Sequence, residues 1–500
     1  MLQRNRVLET PFLVVIVLIC LMTAIVISGC LDGSNSSHKS DVYLSISNPT
    51  VELPPDVGEP FLDVANFDLA DFGYMEEEFF VSGTANAFVS LNEFNSDGFW
   101  VAEPGQTAKY KTRIVVIRPI DPVDFSGTVM VEWINSALAW ERAPIWITGH
   151  TEILREGHAL VAVSALSGGV EGLGDDGLPF YLKAVNPDRY GSLNHPGNSF
   201  SYDMFSQIGE VIRNPGSIDV LGELEARQVL AVGSATAATY LVTYINAVHP
   251  LYNPYRGYLL RGRLGGSSPI SEPPQQPIES PETVRIRTDL NVPVLTVQSE
   301  SDLFVFGFIN DRQEDTDLLR LWEIAGTSHT NAYTLADGIN DTGDDPTYYV
   351  LKENNEGCDL PVNSAPTSWW LNTAISAISK WALNGNPPPI AERLAITDDM
   401  LSFQYDEHGN VLGGVRNPYV DAPAATLSGE GQTGPRSCSY RVTTLLFSQA
   451  VMASMYVDKA GYTRAVDEAA EDAVEKGFLL PADADRVKAA ASLQWDMLSN

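Results

Sequence analysis

Gln228-Val229-Leu230-Ala231-Val232-Gly233-Ser234-Ala235-Thr236-Ala237-Ala238 is the stretch on which the fold turns. Five residues through Val232 read as a buried strand. Gly233 to Ala235 form a sharp small-residue turn, and the apolar spacing of Tyr240, Leu241, Tyr244 and Val248 predicts a helix from Thr236 onward. Strand, tight turn and helix in this order are the layout of a nucleophile elbow, G-x-S-x-G, which lifts a serine hydroxyl above the edge of a sheet. Counted from Gly233, the serine slot is position 235, and alanine stands there. The frame for an attacking hydroxyl is present, and the hydroxyl is not.

The strands on either side set the class. Apolar runs recur at Thr112 to Arg118, Thr128 to Trp133, Ala159 to Ala165, Gly257 to Leu260, Val292 to Gln298 and Leu319 to Ile324. Runs with so little alternation are buried on both faces. Helical patterns lie between them at Pro144 to Glu156, Tyr202 to Arg213, Thr236 to Val248 and Asn310 to Leu318. This alternation predicts an α/β fold with a mostly parallel, doubly wound sheet. Short alternating segments around Glu78 to Gly83 and Ala87 to Leu91 predict N-terminal edge strands. Ser267 to Pro281 is a Pro-rich loop. Past residue 335 the rhythm stops, and a mixed extension carries expected helices at Trp369 to Leu383, Thr443 to Tyr456 and Tyr462 to Lys476.

The N-terminus reads as an export signal. Arg4 and Arg6 precede an apolar run from Phe12 to Val26, and Ile27-Ser28-Gly29-Cys30 follows. That ending resembles a bacterial lipobox, so residues 1–29 are expected to be cleaved and Cys30 to carry lipid. Residues 30–60 are expected to be a tether, and residues 61–500 the folded domain. Once Cys20 leaves with the signal and Cys30 is acylated, only Cys358 and Cys438 remain, and export permits a disulfide between them. The formal net charge of −33, from 64 acidic and 31 basic residues, argues against nucleic acid as a partner. No metal or cofactor motif stands out. Gly172-Leu173-Gly174-Asp175-Asp176-Gly177 places two carboxylates where a phosphate would sit, and the acid-rich stretch Asp337 to Asp345 lacks calcium-loop spacing.

The order of the remaining chemistry follows from the sheet. Asp302 and Glu300 lie on the loop after the strand at 292–298, and His329 lies on the loop after the next strand. Loops at the C-terminal ends of parallel strands share one edge with the elbow. His329 is therefore the expected base. Asp302 is its orienting acid, with Glu300 as the alternative. Ser234 and Thr236 flank the empty slot, and each is a weak substitute nucleophile. Oxyanion donors are expected from Thr236, next to the slot, and from Asn135 and Ser136 after the strand at 128–133.

A resemblance adds to this reading. Gly127-Thr128-Val129-Met130-Val131-Glu132-Trp133-Ile134-Asn135, Asp188-Arg189-Tyr190-Gly191-Ser192-Leu193-Asn194-His195-Pro196-Gly197 and Ala325-Gly326-Thr327-Ser328-His329 resemble stretches of one bacterial family, the "alpha/beta hydrolase domain" proteins. So do Gly73 to Ala85, Phe200 to Gln207, Val242 to Pro250, Leu412 to Arg416 and Gly477 to Pro481, so the likeness runs over about residues 65–495. The resemblance implies an alpha/beta hydrolase fold, ester-hydrolase ancestry and a small ester as ligand. It also implies that the C-terminal extension belongs to the domain. Two departures fall in the reaction centre. The family's elbow is similar to Gly-Glu-Ser-Gln-Ser, and Ala235 takes the serine's place. Its oxyanion loop resembles Asn-Val-Ser-Gly-Gly, where this chain has Asn135-Ser136-Ala137-Leu138-Ala139. Two functions follow as expectations. One is an ester-hydrolase relative with impaired turnover; the other is a non-catalytic ligand- or partner-binding protein of the cell envelope.

Overall fold

The computed structural model describes residues 43–174 and 177–499. The export signal and Cys30 lie outside the described residues. Nine strands make one sheet in the order β1-β2-β3-β5-β4-β6-β7-β8-β9. The first three are β1 (Thr50–Glu52), β2 (Tyr74–Ser90) and β3 (Ala102–Pro119), joined antiparallel. The others are β4 (Thr128–Trp133), β5 (Ala159–Val163), β6 (Gln228–Ser234), β7 (Tyr258–Arg261), β8 (Val294–Ser299) and β9 (Leu319–Ile324), and all six run parallel. β3 joins the two blocks by pairing antiparallel with β5.

Helices cover both faces. Those in the parallel block are α1 (Pro144–Arg155), α2 (Ser201–Arg213) and α3 (Thr236–Thr243), and the extension supplies α4 (Ser368–Asn384), α5 (Lys459–Glu475) and α6 (Pro481–Ser499). Strand alternation divides the core. Val129, Val131 and Trp133 of β4 join Phe205 of α2 and Leu241 of α3 on one face. Met130 joins Ile153 of α1 and Leu371 of α4 on the other. Each buried strand therefore has both its odd and its even residues in apolar surroundings, as the unbroken sequence runs require.

One polar residue inside β4 has a structural task. Glu132 is fully buried, and its two carboxylate oxygens accept the backbone N–H groups of Ile145 (2.8 Å) and Trp146 (3.1 Å). These are orphan donors in the first turn of α1, whose own N-cap, Ala143, has no side chain to satisfy them. The strand caps the helix.

Several expectations need correction. The span 30–60 is not all tether: Leu44 donates its N–H to Leu251, Asn48 bonds the Asn214 carbonyl, and β1 pairs with β2. The helix expected at Asn310 to Leu318 is a short 3₁₀ turn at Phe308–Asp311 followed by irregular chain. Thr443 to Tyr456 is not one helix. It opens as strand β11 (Thr443–Leu446), paired with β10 (Ala425–Ser428), and only Gln449–Tyr456 is helical. The Pro-rich loop is pinned by side chains of α2 and α3, with Tyr202 donating to the Pro269 carbonyl at 2.7 Å and Thr243 to that of Ser268.

The extension is tied to the sheet by Val415, which donates to the Glu323 carbonyl of β9, and is closed on itself by a buried disulfide between Cys358 and Cys438. The bond spans 80 residues. In the chain-entropy account, a loop of that size contributes about 4.5 kcal/mol by restricting the unfolded state. Reduction, or replacement of both cysteines by serine, is expected to lower the urea midpoint accordingly, as read by tryptophan fluorescence. An unchanged midpoint would show that the bond adds nothing to stability.

Candidate active site

The elbow forms because Gly233 lets α3 lie directly on β6. A Cβ there would stand 2.9 Å from Leu241 and 3.3 Å from the Ala237 backbone. The chain then bends at Ala235, with φ 55° and ψ −123°. This is left-handed backbone that costs an L-residue on the order of 1–3 kcal/mol and persists only where its surroundings impose it. The Ala235 N–H donates to the Arg261 carbonyl at 3.0 Å, and the Ala235 carbonyl accepts the Thr239 N–H at 3.1 Å. The bend is thus clamped by the next strand on one side and by the first turn of α3 on the other.

His329 and Asp302 meet as the strand order requires. The His329 Nδ1 lies 2.6 Å from Asp302 Oδ1. A carboxylate at that nitrogen holds the proton on Nδ1, which leaves the Nε2 lone pair free to accept one. Asp302 is itself fixed, because its other oxygen accepts the Ser299 N–H at 2.6 Å and the Ser299 hydroxyl at 2.7 Å. The first of these bonds, with the Asp302 N–H donated back to the Ser299 hydroxyl, forms the capping box of the short helix Glu300–Phe304. The His329 N–H donates to the Ser301 hydroxyl at 2.9 Å. The ring packs against Phe306, with centroids 4.7 Å apart, and meets Tyr440 of the extension edge-on at 5.9 Å.

Gly262 connects the pair to the elbow. It follows Arg261, whose carbonyl holds Ala235, and a Cβ at Gly262 would lie 3.0 Å from His329 Nδ1 and 3.5 Å from Asp302 Oδ1. Its φ of +54° also favours glycine. The chain of contacts from Ala235 through Arg261 and Gly262 to the imidazole is continuous.

The other candidates separate. Ser234 points away from the elbow tip: its buried hydroxyl accepts from Arg261 Nη1 at 2.9 Å, on the α4 face of the sheet. Glu300 does not reach the imidazole; its carboxylate accepts the Gly326 N–H at 2.6 Å. Asn135 has no backbone donor to offer, because its N–H bonds the Arg142 carbonyl at 3.0 Å and its side chain accepts from Ala137. Ser136 is buried, with a hydroxyl that has no hydrogen-bond partner among the described residues. Thr236 opens α3, where the N–H has no partner within the helix. The loop holding Asn135 and Ser136 is anchored by Glu141, which pairs with the buried Arg113, itself bonded to Glu78. Cysteines 358 and 438 are joined, as reported above. Among the described residues, no cluster of three or more His, Cys, Asp or Glu side chains is placed to hold a metal ion.

The sequence pattern of the alpha/beta hydrolase domain family matches residues 46–489. The chain belongs to that family. Several solved structures are distantly similar to the chain. A dienelactone hydrolase described as putative, from Klebsiella pneumoniae, is 14% identical over 44% of this chain and 73% of its own, with a TM-score of 0.23. XC6422 from Xanthomonas campestris, a serine hydrolase without a lid, is 11% identical over 51% and 89%, with a TM-score of 0.27. A glucuronoyl esterase from Solibacter usitatus is 9% identical over 56% and 82%, with a TM-score of 0.28. No protein of curated function matches the sequence.

The strand order and the loop positions account for Asp302 and His329. They do not point to Arg261, Gly262, Ser299 or Tyr440. Arg261 had one visible signal, a charge closing the apolar run Tyr258-Leu259-Leu260. Ser299 and Asp302 are spaced as a capping box.

Glu300 gives the site a pH signature. Burial pushes its carboxyl up to about 8 from 4.5, against the pull of the Gly326 and Gly429 amides. The folded value lies above the unfolded one, so the native state holds more protons between those limits, and stability falls as pH rises across them. Glu300→Gln removes this slope. Relative to the parent, the variant is expected to gain stability steadily from pH 4.5 to 8, as read by urea denaturation. A constant difference across that range would contradict the assignment.

Proposed function

We propose that this protein is an exported, lipid-anchored member of the family whose site takes a carboxylic ester but lacks the hydroxyl for efficient turnover. The observation that carries the reading is Ala235. A methyl group occupies the tip of a strained elbow beside an assembled His329–Asp302 pair. The machinery that would activate a serine is intact, down to the capping box under Asp302 and the glycine against the imidazole. The disulfide between Cys358 and Cys438 supports the exported reading, since such bonds persist in oxidising compartments. Anchoring would run through Cys30.

With no hydroxyl at 235, the remaining route is direct hydrolysis. His329 Nε2 takes a proton from water, the water oxygen bonds to the ester carbon, and the alkoxide leaves with the proton returned by the imidazolium. The N–H of Thr236 would face the oxyanion. This route lacks a covalent intermediate and is slow; loss of the serine from a well-studied triad costs on the order of a million-fold. Ser234 does not repair it, because its hydroxyl is held by Arg261 on the far face of the strand. That contact favours a second reading, a pseudoenzyme of the envelope that binds an ester-like ligand without cleaving it.

Short-chain p-nitrophenyl esters test both. The parent is expected to hydrolyse them slowly or not at all. Ala235→Ser is expected to raise kcat/KM by roughly a thousand-fold or more, and His329→Ala in that background to abolish the gain. Fast hydrolysis by the parent that survives His329→Ala, or no gain in Ala235→Ser, would overturn the ester-hydrolase reading.

A further inference from the structure

Arg261 is the last residue of β7 and pairs with Ser234 across the β6–β7 ladder. It is 3% exposed. Its guanidinium lies over Trp370 of α4, with Cζ 5.5 Å from the ring centroid. Nη1 donates to the Ser234 hydroxyl at 2.9 Å, and Nη2 donates to the His329 carbonyl at 3.0 Å. Nε has no hydrogen-bond partner among the described residues. The main chain of the same residue accepts the Ala235 N–H.

This is an unusual place for a cation. The buried Arg113 and Arg486 each bond carboxylates, from Glu78 and Glu141 in one case and Asp341 in the other. Among the described residues, Arg261 forms no such ion pair, and Asp302 and Glu132 act on it only through space. Burial draws it down to about 10, so it still carries its charge at neutral pH. A buried charge without an ion pair costs several kcal/mol, and apolar residues of similar volume usually hold a core at least as well. The packing of β7 against α4 would be served by leucine or methionine. What leucine cannot do is hold both the Ser234 hydroxyl, one residue before the elbow tip, and the carbonyl of His329.

We propose that Arg261 is the positioning residue of this site, fixing the elbow at 234–235 and the imidazole of His329 to one guanidinium and one strand end. The inference rests on reading Ala235, Asp302 and His329 as one reaction centre, but its readouts do not depend on turnover. Loss of the second bond frees the His329 loop. The groups facing His329 are Asp302 from the loop after β8, Tyr440 from the extension and the Arg261 charge behind its carbonyl; Phe306 and Gly262 add none.

The test uses the full-length chain. The His329 ring resonances are recorded by NMR, and the reaction of His329 with diethyl pyrocarbonate is timed by mass spectrometry, in the parent, Arg261→Met and Arg261→Lys. Arg261→Met is expected to shift the His329 ring resonances and to speed its modification several-fold. Arg261→Lys lacks the planar fork that reaches both the Ser234 hydroxyl and the His329 carbonyl, and is expected to keep only part of the protection. A folded Arg261→Met whose His329 keeps the parental resonances and rate would overturn the proposal. Should Arg261→Met fail to fold, Arg261→Lys decides, and a parental modification rate there would overturn it too. A failed ester assay on Ala235→Ser would remove the ester reading and leave these measurements untouched.

Discussion

The backbone of Ala235 is the constraint on which the site depends. Its bend is unfavourable for any residue but glycine, and it is held by the Arg261 carbonyl and by the first turn of α3. Relaxing it would turn α3, break the contact of Gly233 with Leu241 and Ala237, and open the face where Trp133 stacks on Tyr240. The bend is therefore written into the packing of β6 on α3. The frame therefore does not depend on a hydroxyl: one oxygen more or less at 235 disturbs no contact that holds it.

Polar groups buried around this frame hold elements in place. Glu132 caps α1 from inside the sheet, Glu300 holds the turn before His329, and Asp302 ties its own short helix while it faces the imidazole. Each satisfies backbone donors at the end of an element, where the apolar core cannot. They line the C-terminal ends of the parallel strands, so the edge that carries the chemistry is also the edge where strand and helix ends meet in need of partners.

Much of the parallel block was legible from local pattern. β4 and β9 fall where their apolar runs begin and end, and α1 and α2 lie within a residue of their expected bounds. Elements decided by distant partners were not legible. The β2–β3 hairpin was seen only in pieces, since Glu76, Glu77 and Glu78 mask its alternation. Thr443 to Leu446 becomes a strand because Ala425 to Ser428 lies beside it. The stretch from Arg312 onward is not helical because its side chains serve β9: Arg312 pairs with Glu323, and Asp315 accepts the Leu321 N–H. In the site, His329 and Asp302 followed from strand order, whereas the directions of Ser234, Glu300 and Asn135 did not. Sequence places a residue on a loop; only the fold shows which way its side chain leaves it.

The central claim is that position 235, and neither neighbour, faces the imidazole. Covalent trapping reads this directly. Ala235→Ser is treated with a fluorophosphonate and digested, and the adduct is located by mass spectrometry. A single adduct at position 235, absent from the parent and from the variant that also carries His329→Ala, is the result this account requires. An adduct at Ser234 or Thr236, or equal labelling with and without His329, would contradict it.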